Sequence, residues 1–406
     1  MEPMRYDYVI VGGGLAGASA IEGIRAHDAE KSILLLSREN HPPYHRPPLS
    51  KGLWFGKETK DKLPVHDDAY YREQRVELAL RREVEELDPI GRQIWDDRGA
   101  TYEYGELLLA TGGWPRRLNV EGAELEGIHY YRFLEDYLHF ERHLDRFRHA
   151  LVVGGGFIGM EMAAALQHAG KGVTLIYPEE HPLKRVLPRD LGLFVADYYR
   201  EKGVEAVSGE QVTRFEARGG EIVAATANGN QVSTEIVVVG VGIEPETDLA
   251  EAAGIVVGNG VEVDEYGCSN VEHVWAAGDV AEFPSLPLDK RMRVEHWDHA
   301  RAHGKAVGAN MAGAHRPYTY LPFFYSDLFD LGFEAVGEVD ATLDTHAVWK
   351  QEFREGIVFY LQGDVVRGVL LWNVWEKVDW ARRLIQQAKP MTGAEREAAV
   401  AEFAAQ

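Results

Sequence analysis

Apolar residues run unbroken through short stretches that end in glycine. This pattern predicts strands buried on both faces rather than strands with one wet face. Tyr8, Val9, Ile10 and Val11 form the first such run, and a helix is expected from about Leu15. The run at 31–37 reads as the second strand. Short strand-like runs follow at 75–80 and 83–87, and 102–112 is a buried strand ending in Thr111-Gly112. The opening pattern then returns, with a strand from Ala150, a helix at 160–167 and the next strand at 172–177. Alternation from 203 to 239 continues this region, 231–240 being its last clear strand, and 271–281 predicts a strand ending at a Gly278-Asp279 turn. From Phe323 the composition changes. Dense aromatics precede strand-like segments at 335–339, 345–349, 356–362 and 365–372, with helices at about 376–387 and after Gly393. These predict an antiparallel α+β domain with an aromatic core.

Two glycine sets stand between a strand and a helix. They are Gly12, Gly14 and Gly17, then Gly154, Gly156 and Gly159, with an offset of 142 residues. In this spacing one glycine makes the tight turn, one lets the backbone approach a pyrophosphate, and one lets the helix pack on the strand. The helix N-terminus then offers free N–H groups and a positive dipole end to phosphate. One such set also serves ordinary turns. Strand, turn, helix, strand and acid occurring twice point to two dinucleotide sites. The acid that accepts from the adenosine ribose is expected near the end of the second strand of each set. Glu39, 22 residues after Gly17, is the first candidate, although Arg38 precedes it. Glu179, 20 residues after Gly159, is the second. Pro178, Glu179 and Glu180 open that loop without a basic residue, so a 2′-phosphate would meet negative charge and NADH is favoured over NADPH.

Several residues carry two readings. The proline-rich loop at 42–51 is rigid, so Arg46 and Lys51 are either held beside a cofactor or lie on a solvated basic loop; Ser50 reads as a cap for a following helix. Glu161 either complements the dipole of its helix or partners a buried lysine. Asp279 either accepts from a cofactor hydroxyl or caps the next helix.

The length of 406 residues suits two or three domains, and 45% hydrophobic with 27% charged residues is ordinary for a globular chain. No apolar run reaches about 18 residues and no signal peptide is visible, which predicts a cytoplasmic protein away from membranes. Cys268 is the one cysteine, which excludes intrachain disulfides, cysteine-held metal and a CxxC redox pair; no metal site is expected. A net charge of −22 disfavours nucleic acid as a partner.

Taken together, VVGGGLAGASA, HRPPLSK, LLLATG, VVGGGFIGMEMAAAL, VVVGVGIEPET, WAAGDVA, RVEHWDHA and the aromatic C-terminal part resemble the pyridine-nucleotide flavoprotein reductases of the glutathione-reductase fold. Among these the chain is similar to the ferredoxin and rubredoxin reductases of oxygenase systems and to flavoproteins of the apoptosis-inducing-factor type. The resemblance implies two Rossmann-like dinucleotide-binding domains plus an α+β C-terminal domain. An FAD-binding domain would comprise 1–115 and 241–320, an NADH-binding domain 116–240, and a C-terminal domain 321–406 that covers the flavin and often forms a homodimer interface. It implies an FAD-dependent NADH:acceptor oxidoreductase, with a small protein carrier, a quinone or oxygen as acceptor. The alternatives are a slow, redox-sensing flavoprotein with NADH-dependent oligomeric state and a dedicated ferredoxin or rubredoxin reductase.

By the same resemblance, Gly12, Gly14, Gly17, Glu39, Arg46, Lys51, Val84, Thr111, Gly112, Gly278, Asp279, Glu295, His296 and Trp297 line the FAD site. Gly154, Gly156, Gly159, Glu179 and Gly242 belong to the NADH site. Lys51 and Glu161 would pair near flavin N5, with Phe157 beside the nicotinamide. The chain departs from the family pattern at Arg38, where an acid is usual.

Overall fold

The first apolar run becomes the strand Met4–Val11, at the centre of a seven-stranded sheet in the computed structural model, which describes residues 3–404. Ile33–Ser37 and Thr101–Leu109 flank it in parallel, and Val76–Leu80 lies outside Ile33–Ser37. Alternate side chains enter different cores, Val9 and Val11 on one face and Tyr8 and Ile10 on the other. Both faces are covered, which is why the run shows no polar alternation. Thr101–Leu109 forks. Its first half pairs antiparallel with Gln93–Asp96, and its second half pairs in parallel with Val274–Ala276. A strand so far along the chain makes this unit discontinuous: Met1–His45, Asp61–Trp114 and Glu244–Pro322.

Two helices cover one face of this sheet, Leu15–Arg25 and Trp297–Met311. They meet backbone to backbone. A Cβ on Gly304 would collide with the Ala16 carbonyl oxygen, and one on Gly308 with that of Ala20. Small residues four apart on each helix make this approach possible, and it fixes the start of the second helix, at Trp297, against the first unit's sheet.

The second compact unit comprises Arg46–Lys60, Pro115–Ile243 and Phe323–Gln406. Its parallel sheet runs in the order Val204–Ser208, Gly172–Tyr177, His149–Val153, Ile236–Val239, Ile128–Tyr130. The repeated sequence is thus a repeated structure. The single strand expected at 231–240 is two. Gln231–Thr234 belongs to a three-stranded antiparallel sheet, while Ile236–Val239 joins the parallel one. Glu235 sits at the change of sheet, where its carboxylate accepts the backbone N–H groups of Arg148 and His149 at 3.3 and 2.9 Å.

The C-terminal sheet is antiparallel throughout, in the order Phe323–Leu328, Leu331–Gly337, Val365–Trp372, Glu355–Gln362, Asp344–Gln351. Phe333, Phe359, Tyr360 and Trp372 are fully buried in its core. The stretch 323–328, which the sequence reading took only as aromatic core, is the first strand of this sheet, and its alternation buries Ser326 and Leu328. Among the described residues no helix is long and apolar enough to cross a membrane.

Candidate functional site

Both glycine sets form the same open cradle. Gly12 and Gly154 have φ of +124° and +116°, a region that glycine alone enters freely, and a Cβ on either would strike a carbonyl oxygen, of Ala110 and Gly240 respectively. Gly17 and Gly159 press on the carbonyls of Gly12 and Gly154 and so dock helix on strand. Gly14 and Gly156 differ from these. Gly14 has no atom within 4 Å of its would-be Cβ, and Gly156 meets only the Gly240 carbonyl oxygen at 3.8 Å. Each is the N-cap of its helix, Leu15–Arg25 or Phe157–His168, with no side-chain cap and no acid in the first turn. An uncapped helix N-terminus with little packed against its N-cap glycine therefore occurs twice, and this fits a pyrophosphate.

In the first unit, the carboxyl ends of three adjacent parallel strands converge on the first cradle. Gly12 follows Met4–Val11, Thr111-Gly112 follows Thr101–Leu109, and Gly278-Asp279 follows Val274–Ala276. A Cβ on Gly278 would lie 2.7 Å from that of Ala16. Asp279 sits in a 3-10 turn, Gly278–Val280, and its carbonyl accepts from Arg293 at 3.0 Å. Thr111 donates to the Glu246 carbonyl at 2.8 Å. Glu295 pairs with Arg293 at 2.6 Å, His296 is the extended residue before the helix, and Trp297 donates its indole N–H to Nδ1 of His45 at 3.0 Å. Burial lowers the His45 pKa, which keeps it neutral and able to accept. Val84 opens a strand and packs on the core of this unit.

Arg38 follows the second strand directly. Its guanidinium lies 3.3 Å from the Trp114 ring centre and pairs with Glu246 at 3.4 Å and Glu83 at 3.8 Å. Its charge is thereby engaged by acids of its own unit. The Glu39 carboxylate accepts from the Tyr44 hydroxyl at 2.6 Å.

In the second unit, Glu179 lies two residues beyond Gly172–Tyr177, and its carbonyl accepts from Gly209 at 3.0 Å. Its neighbour Glu180 holds Arg189, whose Nε donates at 3.0 Å. Gly242 has φ +97°, and its carbonyl accepts from Arg116 at 2.9 Å. Arg46 donates to the Arg132 carbonyl at 3.3 Å and lies over Phe133. Phe157 begins its helix and is packed by Phe324 at 5.5 Å and Phe333 at 6.4 Å between ring centres.

Glu161 settles one of the sequence alternatives. It lies in the second turn of Phe157–His168, too far along to complement the helix end, and is only 2% exposed. Lys51 Nζ lies 2.7 Å from its Oε1. The Ser326 hydroxyl donates to the same oxygen at 2.7 Å, and the Ser50 hydroxyl donates to Oε2 at 2.6 Å. A buried carboxylate is tolerated when charge and hydrogen bonds both compensate it, and here they do. Lys51 also lies 5.2 Å from the Tyr325 ring centre, and burial raises the pKa values of Tyr325 and of nearby Asp327. Ser50 does not cap a following helix, since it ends the 3-10 turn Pro47–Leu49 instead. Sequence reasoning missed Ser326 altogether. The alternation of 323–328 was the available signal, because it puts Ser326 on the inward face.

The sequence model of the pyridine nucleotide-disulphide oxidoreductase family matches residues 6–304, and that of the C-terminal part of mitochondrion-associated apoptosis-inducing factor matches 307–352 and 350–387. Apoptosis-inducing factor 1, mitochondrial, of Dictyostelium discoideum is 33% identical over 416 residues, covering 94% of this chain and 78% of its own length. The ferredoxin–NAD(+) reductase component of the anthranilate 1,2-dioxygenase system of Burkholderia cepacia is 34% identical over 386 residues, 93% of each chain. The solved covalent putidaredoxin reductase–putidaredoxin complex superposes with a TM-score of 0.91 at 30% identity, over 97% of this chain and 95% of that one. With both cradles, the strand order and these matches in agreement, the chain belongs to the pyridine nucleotide-disulphide oxidoreductase family and is an FAD-dependent oxidoreductase that takes electrons from NADH and passes them to an acceptor.

Proposed function

We propose that the chain is an NADH-specific reductase whose acceptor is a small electron-carrier protein. The observation that carries this reading is the lone Cys268. It is half-buried, and burial pushes its thiol up to about 12. With no second cysteine to form a redox disulfide, electrons leave the cofactor directly for an outside acceptor. The ferredoxin reductase and putidaredoxin reductase likenesses, each nearly end to end, support a carrier protein in that role.

In this reading residues 1–115 and 241–320 hold FAD, 116–240 hold NADH, and 321–406 cover the flavin and form a homodimer interface. When bound, FAD supplies the redox chemistry, accepting a hydride and releasing electrons onward. The protein's part is binding and orientation. Gly12, Gly14 and Gly17 cradle the FAD pyrophosphate, and Gly154, Gly156 and Gly159 that of NADH. Glu39 and Glu179 take the riboses, and beside Glu179 the Arg189 guanidinium is already engaged by Glu180. Thr111, Gly112, Gly278, Asp279, Glu295, His296, Trp297, Val84 and Arg46 complete the FAD side, and Gly242 the NADH side. Phe157 shields the nicotinamide from water, and Lys51, steadied by Glu161, offers positive charge where the flavin gains electrons. A cytoplasmic site of action, where NADH is regenerated, belongs to the same reading.

Anaerobic stopped-flow absorbance tests it. Flavin bleaching is expected to be faster with NADH than with NADPH, and reoxidation faster with a ferredoxin or rubredoxin than with a quinone or oxygen. The C-terminal match favours a second reading, a flavoprotein that binds NADH, turns over slowly and changes oligomeric state. A persistent long-wavelength band with slow turnover against every acceptor would overturn the first reading in favour of that one.

A further inference from the structure

We propose that Ser326 is a positioning residue for hydride transfer, acting through the Lys51–Glu161 pair. The proposal rests on the reading of that pair as the group at the flavin. Glu161 receives three donors from two separate segments. Lys51 and Ser50 come from the proline-rich loop and its turn, and Ser326 comes from the first strand of the C-terminal sheet. Ser326 is 0% exposed and Ser50 is 4% exposed, so water does not replace either hydroxyl when it is removed.

The two hydroxyls divide the work. Lys51 and Ser326 share Oε1, while Ser50 alone holds Oε2. The carboxylate plane is therefore fixed from both ends, and the lysine that it anchors inherits that orientation. Ser326 also offsets part of the carboxylate charge, so Glu161 cancels less of the positive field that Lys51 presents. The strand 323–328 delivers this hydroxyl inward, and it places Tyr325 against Lys51 and Phe324 against Phe157. One strand of the C-terminal sheet thus supports all three of the residues proposed for hydride transfer.

The test is a cycle of wild type, Ser326→Ala, Lys51→Met and the double variant, each as FAD-loaded protein. Two quantities are read: the anaerobic flavin-bleaching rate with NADH and the flavin midpoint potential. Ser326→Ala is expected to slow bleaching about tenfold, the rate equivalent of one charge-assisted hydrogen bond. It is expected to shift the potential about 30 mV more negative, the two-electron equivalent of the same factor. In the Lys51→Met background the further substitution should change neither quantity. Ser326→Cys, a weaker donor of similar size, should fall between, and it carries the test if Ser326→Ala does not retain FAD. A wild-type rate and potential in Ser326→Ala, with Lys51→Met slow, overturn the inference and leave the pair's role standing. Equal slowing in both backgrounds also overturns it, because the hydroxyl would then act independently of the pair. A wild-type rate in Lys51→Met overturns the reading of the pair itself.

Discussion

Two histidines near the first cradle make acid stability a direct test of the fold around it. His299 and His303 lie on Trp297–Met311, both 0% exposed, with rings 4.8 Å apart and packed against Phe283 and Tyr318. His303 Nδ1 accepts the backbone N–H of Gly278 at 3.3 Å, so it braces the turn that carries Asp279. Burial pushes His303 down to about 3, and burial also holds His299 well below the usual imidazole range. An unfolded imidazole titrates near 6.5. Stability from each ring is therefore complete above about pH 6.5 and is lost as pH falls toward the folded value, because only the unfolded chain takes up the proton. Between pH 7 and pH 5 this amounts to about 2 kcal/mol for His303. His303→Asn keeps an acceptor for Gly278 but removes one titration. Urea melts followed by the fluorescence of released FAD, at pH 7 and at pH 5, should show wild type losing about 2 kcal/mol more than the variant over that interval. Parallel losses in the two proteins would refute the claim that His303 is held neutral.

Three other substitutions address the nucleotide sites. Lys51→Met should slow flavin bleaching by NADH about 10- to 100-fold while FAD content per chain stays near one, checked by stopped-flow and by the visible spectrum. Gly156→Val should leave the fold and FAD content intact, since a Cβ on Gly156 meets only the Gly240 carbonyl oxygen, at an ordinary contact distance of 3.8 Å, and raise the KM for NADH about tenfold or more, the loss of one charged hydrogen bond to phosphate. Glu179→Gln should narrow the NADH-over-NADPH preference in kcat/KM by about tenfold; an unchanged ratio would remove Glu179 from the ribose.

Most of the fold was legible because its main signals are local. Unbroken apolar runs marked the doubly covered strands, and each glycine set announced its own turn, since its first member takes a positive φ where a Cβ would strike a carbonyl oxygen. What stayed hidden depended on partners distant in the chain. Glu161 could not be assigned from its helix position, because the deciding neighbours were Lys51, Ser50 and Ser326. Ser50 looked like a cap because serine caps commonly, and nothing local revealed an acceptor 111 residues away. The strand 323–328 was obscured by its aromatics, which signal a core more strongly than they signal a period of two. The break at Glu235 was hidden because two strands of different sheets follow one another with a single residue between them.

The repeat itself explains where the chemistry could be placed. At the offset of 142, Phe157 corresponds to Leu15 and Glu161 to Ser19, while Ile158 and Met162 correspond to Ala16 and Ala20. The cradles are alike in backbone, so both are built to meet phosphate, and neither glycine set distinguishes the two roles. The helices that follow do. The first is trimmed to Ala16 and Ala20 so that Gly304 and Gly308 can press against its backbone, which makes it a fixed wall of its unit. The second keeps larger side chains and is backed instead by Phe324 and Phe333, and by Ser326 through Glu161. Such a surface has room to project an aromatic ring and a carboxylate, and those are the two groups proposed to meet the nicotinamide and to anchor Lys51. In the proposed function, one copy of the motif thus serves as scaffold for its nucleotide, and the other, on the same backbone, carries the groups that shield the nicotinamide and anchor Lys51.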